Sequence, residues 1–266
     1  MKLETPTTGA PPVLETIDVS VAATDARAEP LVERLNWRVE AGEFWVVGGL
    51  HGTGKSTLLL TAAGLRQPSR GRHFLFGHET SGLDEPALLR ERLRIGVVFE
   101  DGGRLFAGLT VAENVALPLC YHRNCPAAGA EERVRAILDA TGLLSVARQT
   151  PGRLSRQLRQ RTGLARALAL DPEALLLDNP LAGLDPRERG WWLEFLGGLS
   201  AGHGTEMGRR VTLVATTDDL APWADRGGQF AIIHQRQWRP LGGRNELAGC
   251  ADPALRELLA GGLTQP

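Results

Sequence analysis

One ten-residue segment restricts the folds available to this chain more than any other feature. The apolar residues 44–47 lead into GGLHGTGKST at 48–57, and the Leu- and Ala-rich residues 58–63 that follow favour a helix. Residues 49–56 match the pattern G-x-x-x-x-G-K-[ST], in the strand–loop–helix setting in which this pattern surrounds a phosphate. The sequence therefore predicts a binding site for a nucleoside triphosphate.

Each part of this loop has a chemical role. The glycines allow backbone N–H groups to surround a phosphate, and the N-terminus of the following helix adds a favourable dipole. The Lys55 ammonium can reach the β- and γ-phosphates, and the Ser56 hydroxyl can bind Mg²⁺. The predicted nucleotide-binding residues of the loop are Gly49, Leu50, His51, Gly52, Thr53, Gly54, Lys55, Ser56 and Thr57.

Short apolar runs recur along the chain, and they predict the fold class. They lie at 44–47, 95–99, 174–177, 211–214 and 230–233. Their continuous rather than alternating hydrophobicity indicates strands that are buried on both faces, as in a parallel sheet covered by helices. Between 104 and 170 the pattern becomes helical, with an amphipathic stretch at 131–138. The prediction is an α/β core with a mostly parallel sheet, interrupted by a helical insertion.

Composition excludes several other classes of protein. With 30 Lys and Arg against 31 Asp and Glu, the net charge of −1 argues against a protein whose main task is to hold nucleic-acid backbone. No apolar run approaches the roughly 18 residues of a spanning helix, and the N-terminus does not resemble a signal peptide. Three cysteines form no disulfide framework. We therefore expect a soluble, cytosolic protein.

One cluster leaves an alternative open. Cys120, His122 and Cys125 form the pattern C-x-H-x-x-C, a spacing compatible with zinc. No fourth ligand is evident, so free thiols are the favoured interpretation.

Five further stretches follow the phosphate loop in a specific order. They are LSRQLRQR at 154–161, LARAL at 164–168, LLLDNP at 175–180, AGLDP at 182–186 and VATTD at 214–218. In this order they correspond to the signature sequence, its following helix, the Walker B strand, the D-loop and the switch-histidine strand end of an ABC transporter ATP-binding subunit. The chain resembles that family from about residue 13 to residue 260.

The resemblance implies a fold, a domain division and a set of ligands. It implies a P-loop NTPase (RecA-like) core with N-terminal β elements and an inserted helical subdomain at about 101–170. A single ATP-binding domain would cover 13–260, between a flexible segment at 1–12 and a tail at 261–266. It also implies ATP with Mg²⁺, the metal being held by Ser56, Asp178 and Glu100, and nucleotide contacts for Ser155 and Asp185.

The departures from the family pattern concern hydrolysis. Asn179 stands in place of the catalytic glutamate, Thr217 in place of the switch histidine, and Glu100 in place of the Q-loop glutamine. A neutral amide at 179 can hydrogen-bond a water but cannot accept its proton. We therefore predict that ATP binding is retained, and that hydrolysis is weak or depends on a partner.

The signature and the base-stacking position also depart from the pattern. Arg156, Gln157 and Leu158 replace the two glycines and the glutamine of the signature. The aromatic residue that stacks on adenine in the family is missing, because the first aromatic residue of the chain is Trp37.

Two alternative functions stay open. One is a fully active ATPase that uses substitutes such as Glu100 or Asp218. The other is a soluble, non-transport ABC protein that acts on DNA or the ribosome, which the single nucleotide domain and the balanced charge disfavour.

The family also implies partners and a location. Two ATP-binding subunits would meet head to tail and attach to a membrane permease, with no nucleic acid involved. The chain would then be cytoplasmic and peripheral on the inner face of the cell membrane. Residues 104–119 and 252–259 resemble the corresponding parts of Mce/Mla-type lipid transporter ATPases, so lipid is the transported substance expected from sequence.

Overall fold

The structure is a computed structural model that describes residues 10–22, 29–123, 127–203, 209–250 and 252–260. Its strands are β1 (Leu14–Val21), β2 (Val32–Val39), β3 (Phe44–Gly48), β4 (Arg70–Leu75), β5 (His78–Glu79), β6 (Ile95–Val98), β7 (Ala174–Leu177), β8 (Thr212–Thr217), β9 (Gln229–His234) and β10 (Gln237–Gly242). Its helices are α1 (Lys55–Ala62), α2 (Glu85–Arg92), α3 (Val111–His122), α4 (Ala127–Ala140), α5 (Arg156–Leu168), α6 (Pro186–Ala201), α7 (Arg244–Gly249) and α8 (Pro253–Leu259).

These strands form one sheet in the order β5-β4-β1-β2-β10-β9-β3-β8-β7-β6. From β9 to β6 all neighbours are parallel. The five apolar runs found in the sequence lie in these five strands, except that Phe99 and Val211 fall just outside β6 and β8. The pairs of β1 with β2, β1 with β4, and β4 with β5 are antiparallel. The predicted α/β fold with a mostly parallel core and N-terminal β elements is confirmed.

Helices cover both faces of the parallel strands. Along β3, Trp45 and Val47 belong to the apolar cluster that contains the buried leucines of α1, whereas Phe44 and Val46 belong to the cluster that contains Trp192 of α6. Because successive side chains of a strand point to opposite faces, a strand between two helical layers must be apolar at every position. This explains the continuous apolar runs in the sequence.

Between β6 and β7 the chain is mainly helical, as the pattern between 104 and 170 predicts. Helices α3, α4 and α5 share a separate apolar cluster that includes Val115, Leu138 and Ala165. Helix α3 begins at a capping box in which Thr110 and Glu113 bond each other's backbone N–H groups. The domain boundaries implied by the resemblance stay predictions, and residues 1–9 and 261–266 lie outside the described residues.

The cysteine–histidine pattern is only partly described. Cys120 is half-buried on α3 and His122 is exposed at the end of that helix. Cys125 lies outside the described residues, so the zinc alternative stays a hypothesis.

Candidate nucleotide-binding site

The carboxyl ends of four neighbouring parallel strands define the site. Strands β6, β7, β8 and β3 lie side by side, and the residues that follow them are Phe99–Glu100, Asp178–Asn179, Asp218 and the loop 49–54. In open α/β sheets, ligands bind at this edge, where the strand ends meet. The sheet therefore gathers predicted residues that are up to 169 positions apart in the sequence, from Gly49 to Asp218.

The loop after β3 has the geometry of an anion site. Gly54 precedes α1 with a φ of 94°, a left-handed conformation that glycine adopts without a steric penalty. No side chain caps α1, and its first turn contains no acidic residue. The first N–H groups of α1 are therefore available to a phosphate, and the helix dipole favours negative charge there.

The Lys55 side chain folds back over this loop. Its Nζ donates hydrogen bonds to the carbonyl oxygens of Gly49 and Leu50, the latter at 2.9 Å. Burial lowers the pKa of Lys55. The nearby carboxylates that counter this effect are, in decreasing order, those of Asp218, Asp178 and Glu100. The ammonium is thus held inside the loop and surrounded by negative charge.

The loop opens on a cavity of about 260 Å³. It is lined by Leu31, His51, Gly52, Gly54, Lys55, Ser56, Thr57, Glu100, Asp178 and Asn179. All of these except Leu31 are predicted site residues. The predicted residues that do not line it are Gly49, Leu50, Thr53, Thr217, Ser155 and Asp185.

Leu31 is a site residue that the sequence analysis missed. It lies against the loop, so closely that a Cβ at position 54 would come 2.7 Å from the Leu31 Cβ. Among the described residues, no Phe, Tyr or Trp lines the cavity. No local pattern distinguishes Leu31 from an ordinary core leucine, so only the fold could reveal it.

Asp178 is fixed by two neighbouring strands. Its backbone N–H donates to the carbonyl of Val98 on β6 at 2.8 Å, and its Oδ1 accepts a 2.9 Å hydrogen bond from Thr216 Oγ1 on β8. The carboxylate is buried beside the cavity. Thr216 is a second residue that the sequence analysis missed; its position one strand away from Asp178 depends on the sheet order.

Asn179 contacts the end of β8. Its backbone N–H donates to Thr216 Oγ1 at 3.2 Å, and its amide Nδ2 donates to Asp218 Oδ2 at 3.4 Å. Both Asn179 and Asp218 are half-buried. The amide at the expected catalytic position is therefore paired with an acid.

Thr217 has a different environment from the one its motif position implies. It is buried, and its Oγ1 donates to the carbonyl of Asp219 at 2.8 Å and accepts from the Asp219 N–H at 3.1 Å. The hydroxyl thus closes the turn after β8 and does not line the cavity.

Glu100 lies at the open side of the cavity and is exposed. Partial desolvation of its carboxylate raises the pKa of Glu100, and the charges of Asp178 and Asp101 act in the same direction. Arg156 opposes the increase. Glu100 thus lines the same cavity as Asp178 and Ser56, and the metal contacts of these three residues stay predictions.

Ser155 and Asp185 each begin a helix. The Ser155 hydroxyl accepts from the Leu158 N–H at 3.3 Å at the start of α5, and Asp185 accepts from the Glu188 N–H at 2.9 Å at the start of α6. These are N-caps, which satisfy N–H groups that lack a partner within the helix. Their predicted nucleotide contacts stay predictions.

Arg156 connects three loops within the chain. Its guanidinium forms an ion pair with Asp101, which follows Glu100. The same group lies directly beside Gly183, where an added Cβ would clash with it. The Arg156 guanidinium is therefore occupied by contacts of its own chain.

The family profile described as ABC transporter matches residues 32–182. This is more than half of the sequence, and the chain belongs to this family. Among curated relatives, the methionine import ATP-binding protein MetN of Caulobacter vibrioides is 36% identical over 191 residues, which cover 72% of this chain and 56% of the relative. MetN of Brucella abortus is 36% identical over 218 residues, which cover 82% and 57%. The match thus spans little more than half the length of these relatives.

Solved structures agree with this assignment. A dimeric, post-hydrolysis structure of the ATP-binding cassette MJ0796 bound to ADP and Pi has a TM-score of 0.76 and 27% identity, and covers 86% of this chain and 99% of the other. The cbiO1 structure from Clostridium perfringens, part of the ABC transporter complex cbiONQ, has a TM-score of 0.76 over 90% and 91%. At 23% identity, the latter supports the fold alone.

Proposed function

We propose that this chain is the ATP-binding subunit of an ABC membrane transporter and binds Mg·ATP at the cavity beside Lys55. The observation that carries the proposal is the convergence of the uncapped α1 N-terminus, the Lys55 ammonium and the Asp178 carboxylate on one cavity. The first two bind phosphate, and the third supplies an oxygen ligand of the kind that Mg²⁺ prefers.

The residues present fit a magnesium ion that is bound together with its nucleotide. Within the described ranges, no group of three or more His, Cys, Asp or Glu residues is arranged to hold a metal by itself. Mg²⁺ commonly takes one or two protein ligands and completes its shell with phosphate oxygens and water. Ser56 and Asp178 would hold it, with Glu100 as the third oxygen donor; the ion would neutralise phosphate charge.

Hydrolysis by this subunit is proposed to be slow. Asn179 can orient a water molecule but cannot take its proton, and the Thr217 hydroxyl is bonded to the backbone of Asp219. Both changes remove groups on which the family pattern depends, so hydrolysis depends on a substitute for the positioned general base, which typically contributes about 10²–10⁴-fold.

The proposed partners are a membrane permease and a second ATP-binding subunit. The dimeric cassette MJ0796 supports the pairing of two ATP-binding subunits. No helix in the described part of the chain has both the length and the apolar character needed to cross a membrane. We therefore propose peripheral attachment through the permease at the cytoplasmic face.

The names of the relatives bear on the transported substance. The relatives described above have methionine-import names, which gives no support to the lipid branch suggested by residues 104–119. We propose import of a small solute of the methionine type, with lipid as the competing substrate class. Transport assays with the reconstituted permease complex, offering labelled methionine or labelled phospholipid, distinguish the two.

Nucleotide binding is tested by titration with a fluorescent ATP analogue. We expect Lys55→Ala to weaken binding of Mg·ATP strongly, because the mutant lacks the ammonium group inside the loop. Arg66→Ala, a change of an arginine beyond the end of α1, serves as the control. Equal affinity in Lys55→Ala and wild type would contradict the proposed site.

A further inference from the structure

The amide–acid pair at the end of β7 and β8 is not explained by nucleotide binding alone. Asn179 Nδ2 donates to Asp218 Oδ2 at 3.4 Å, and the Asn179 backbone is held by Thr216 at 3.2 Å. Asn179 has a φ of 45°, a left-handed conformation uncommon for residues other than glycine. The backbone at 179 therefore presents its amide to the cavity and to Asp218 at the same time.

Asp218 lies directly behind Asn179, which lines the cavity. Of the carboxylates that act on Lys55, it has the largest effect on the pKa of that ammonium. The charges of Lys55 and Asp218 therefore interact and form one electrostatic unit, a set of charged groups that act on each other. The motif predicts that the Lys55 ammonium contacts the β- and γ-phosphates. The other charged groups of this unit are Asp178 and Glu100.

We infer that Asp218 is the general base for ATP hydrolysis by this chain, and that Asn179 is the positioning residue that orients both this carboxylate and the attacking water. The inference rests on the proposed function. In the step, the water oxygen forms a bond to the γ-phosphorus and the bond from that phosphorus to the β,γ-bridging oxygen breaks. The bridging oxygen leaves with its electron pair as part of ADP, and the water proton passes to the Asp218 carboxylate.

The other candidate groups fit this role less well. The Asn179 amide accepts no proton, and the Thr217 hydroxyl is fully used in the turn with Asp219. Glu100 is exposed, and no described hydrogen bond holds its side chain. Asp218 is half-buried and accepts a hydrogen bond from the residue at the catalytic position, which restrains the orientation of its carboxylate.

The chain contains a matched control next to this residue. Asp219 has the same side chain, but its Oδ1 accepts from the Ala221 N–H at 3.0 Å and its Oδ2 lies 3.9 Å from Arg189. It is thus directed to the following turn and to α6. Asp219→Asn therefore makes the same chemical change one residue away.

The test combines nucleotide binding with single-turnover hydrolysis on the full chain. Radiolabelled ATP is mixed with excess protein and Mg²⁺, and phosphate release is followed for wild type, Asp218→Asn, Asp218→Glu, Asp219→Asn and Lys55→Ala. We expect Asp218→Asn to slow hydrolysis about 10²-fold while it retains affinity for the fluorescent ATP analogue. Asp218→Glu should recover part of the rate, and Asp219→Asn should behave as wild type.

Chemical rescue separates a base from a merely structural carboxylate. Sodium formate should restore phosphate release in Asp218→Ala in a concentration-dependent manner, whereas sodium chloride at the same ionic strength should not. A rate in Asp218→Asn equal to wild type, or no rescue by formate, overturns the inference. Wild-type hydrolysis no faster than in Lys55→Ala, with ATP still bound, overturns it as well, whereas failure of wild type to bind ATP contradicts the proposed function itself.

Discussion

Gly163 of α5 lies directly against the backbone of Gly102, so that a Cβ at position 163 would come within 2.5 Å of the Gly102 carbonyl oxygen. Gly102 has a φ of 81° and ends the short turn that begins at Glu100. The cavity residue Glu100 is therefore attached to the helix that begins after Ser155. Backbone packing without intervening side chains makes this connection stiff.

Gly163→Ala is expected to destabilise the protein. The added methyl group would meet backbone atoms, which cannot rotate away, and overpacking of this kind costs about 1–3 kcal/mol. Gly190→Ala is the control, because Gly190 is exposed on α6 with open space around its Cβ position and alanine gains about 0.5–1 kcal/mol in a helix. Urea unfolding of the two variants should give shifts of opposite sign. Equal stability of Gly163→Ala and wild type would contradict the close packing.

Arg156→Ala tests what the contacts of Arg156 contribute. Because the pair of Arg156 with Asp101 is exposed, its loss should change the free energy of unfolding by less than about 1 kcal/mol. The variant should nevertheless form dimers at a lower protein concentration in Mg·ATP, since a smaller side chain opens the N-terminus of α5 to a phosphate. Light scattering after gel filtration measures this, with Arg153→Ala as the control. Weaker dimerisation of Arg156→Ala would instead assign Arg156 an attractive role at the interface.

The sequence predicts the parts of this protein that local chemistry determines. A strand buried on both faces is apolar at every position, so β3, β6, β7, β8 and β9 are visible as runs of apolar residues. The phosphate loop is equally visible, because its glycines and Lys55 have fixed spacing and a fixed setting. The loop itself therefore predicts Lys55 and Ser56 as phosphate and metal ligands, whereas Asp178 is predicted only by the family resemblance.

Contacts between distant elements could not be predicted in the same way. The hydrogen bond from Asn179 to Asp218 joins residues 39 positions apart, and it depends on β7 and β8 being neighbours. The use of the Thr217 hydroxyl in its own turn depends on the backbone after β8. Leu31 contacts the loop only through the packing of the segment before β2. A motif position defines which strand a residue follows, but not where its side chain points.

Stability should fall in mild acid because of His73. This histidine of β4 is buried, with Nδ1 3.2 Å from Thr80 Oγ1, and burial lowers the pKa of His73 from 6.5 to about 4. Between these values the unfolded chain binds more protons than the folded chain. The stabilising contribution of the neutral histidine is therefore complete above pH 6.5 and is lost as the pH falls toward 4. At pH 5 the loss in the free energy of unfolding is about 2 kcal/mol.

His73→Gln should flatten this part of the pH dependence. Denaturant unfolding at pH 7.5 and at pH 5 measures the difference, and His78→Gln, a change of an exposed histidine, should retain the wild-type slope. A wild-type slope in His73→Gln would assign the acid sensitivity to other groups.

The pH dependence of Lys55 modification by amine reagents should report the burial and the charged surroundings of its ammonium. Burial lowers the pKa of Lys55, so the midpoint of its modification by acetic anhydride should lie at a lower pH in the folded chain than in the chain unfolded by urea. The sequence contains only Lys2 and Lys55, so peptide mapping separates the two sites. Mg·ATP should protect Lys55. Asp218→Asn should lower the midpoint further, because it removes the carboxylate that most favours the charged form of Lys55. An unchanged midpoint would show that Asp218 lies too far from Lys55 to act on it.

Replacing the amide at 179 by an acid tests how residues 179 and 218 each contribute to hydrolysis. Asn179→Glu should raise single-turnover hydrolysis, because it adds a carboxylate at the position after Asp178, where the resemblance places the catalytic acid. The gain should stay below the full contribution of about 10²–10⁴-fold, since Asp218 already supplies a base and the two negative charges would repel each other. Asn179→Gln is the control, because its side chain has the length of glutamate without the charge.

The decisive variant combines Asn179→Glu with Asp218→Asn. In this pair the acid and the amide exchange places, so a donor and an acceptor still face each other across the ends of β7 and β8. If Asp218 is the base, hydrolysis lost in Asp218→Asn should return in the double variant, because the carboxylate introduced at position 179 can take the water proton in its place. If Asp218 instead only holds Asn179 in position, formate should not rescue Asp218→Ala, because a free carboxylate cannot hold the amide in place. In that case, the proton of the attacking water leaves by another route, and Glu100→Gln becomes the variant that must abolish the reaction.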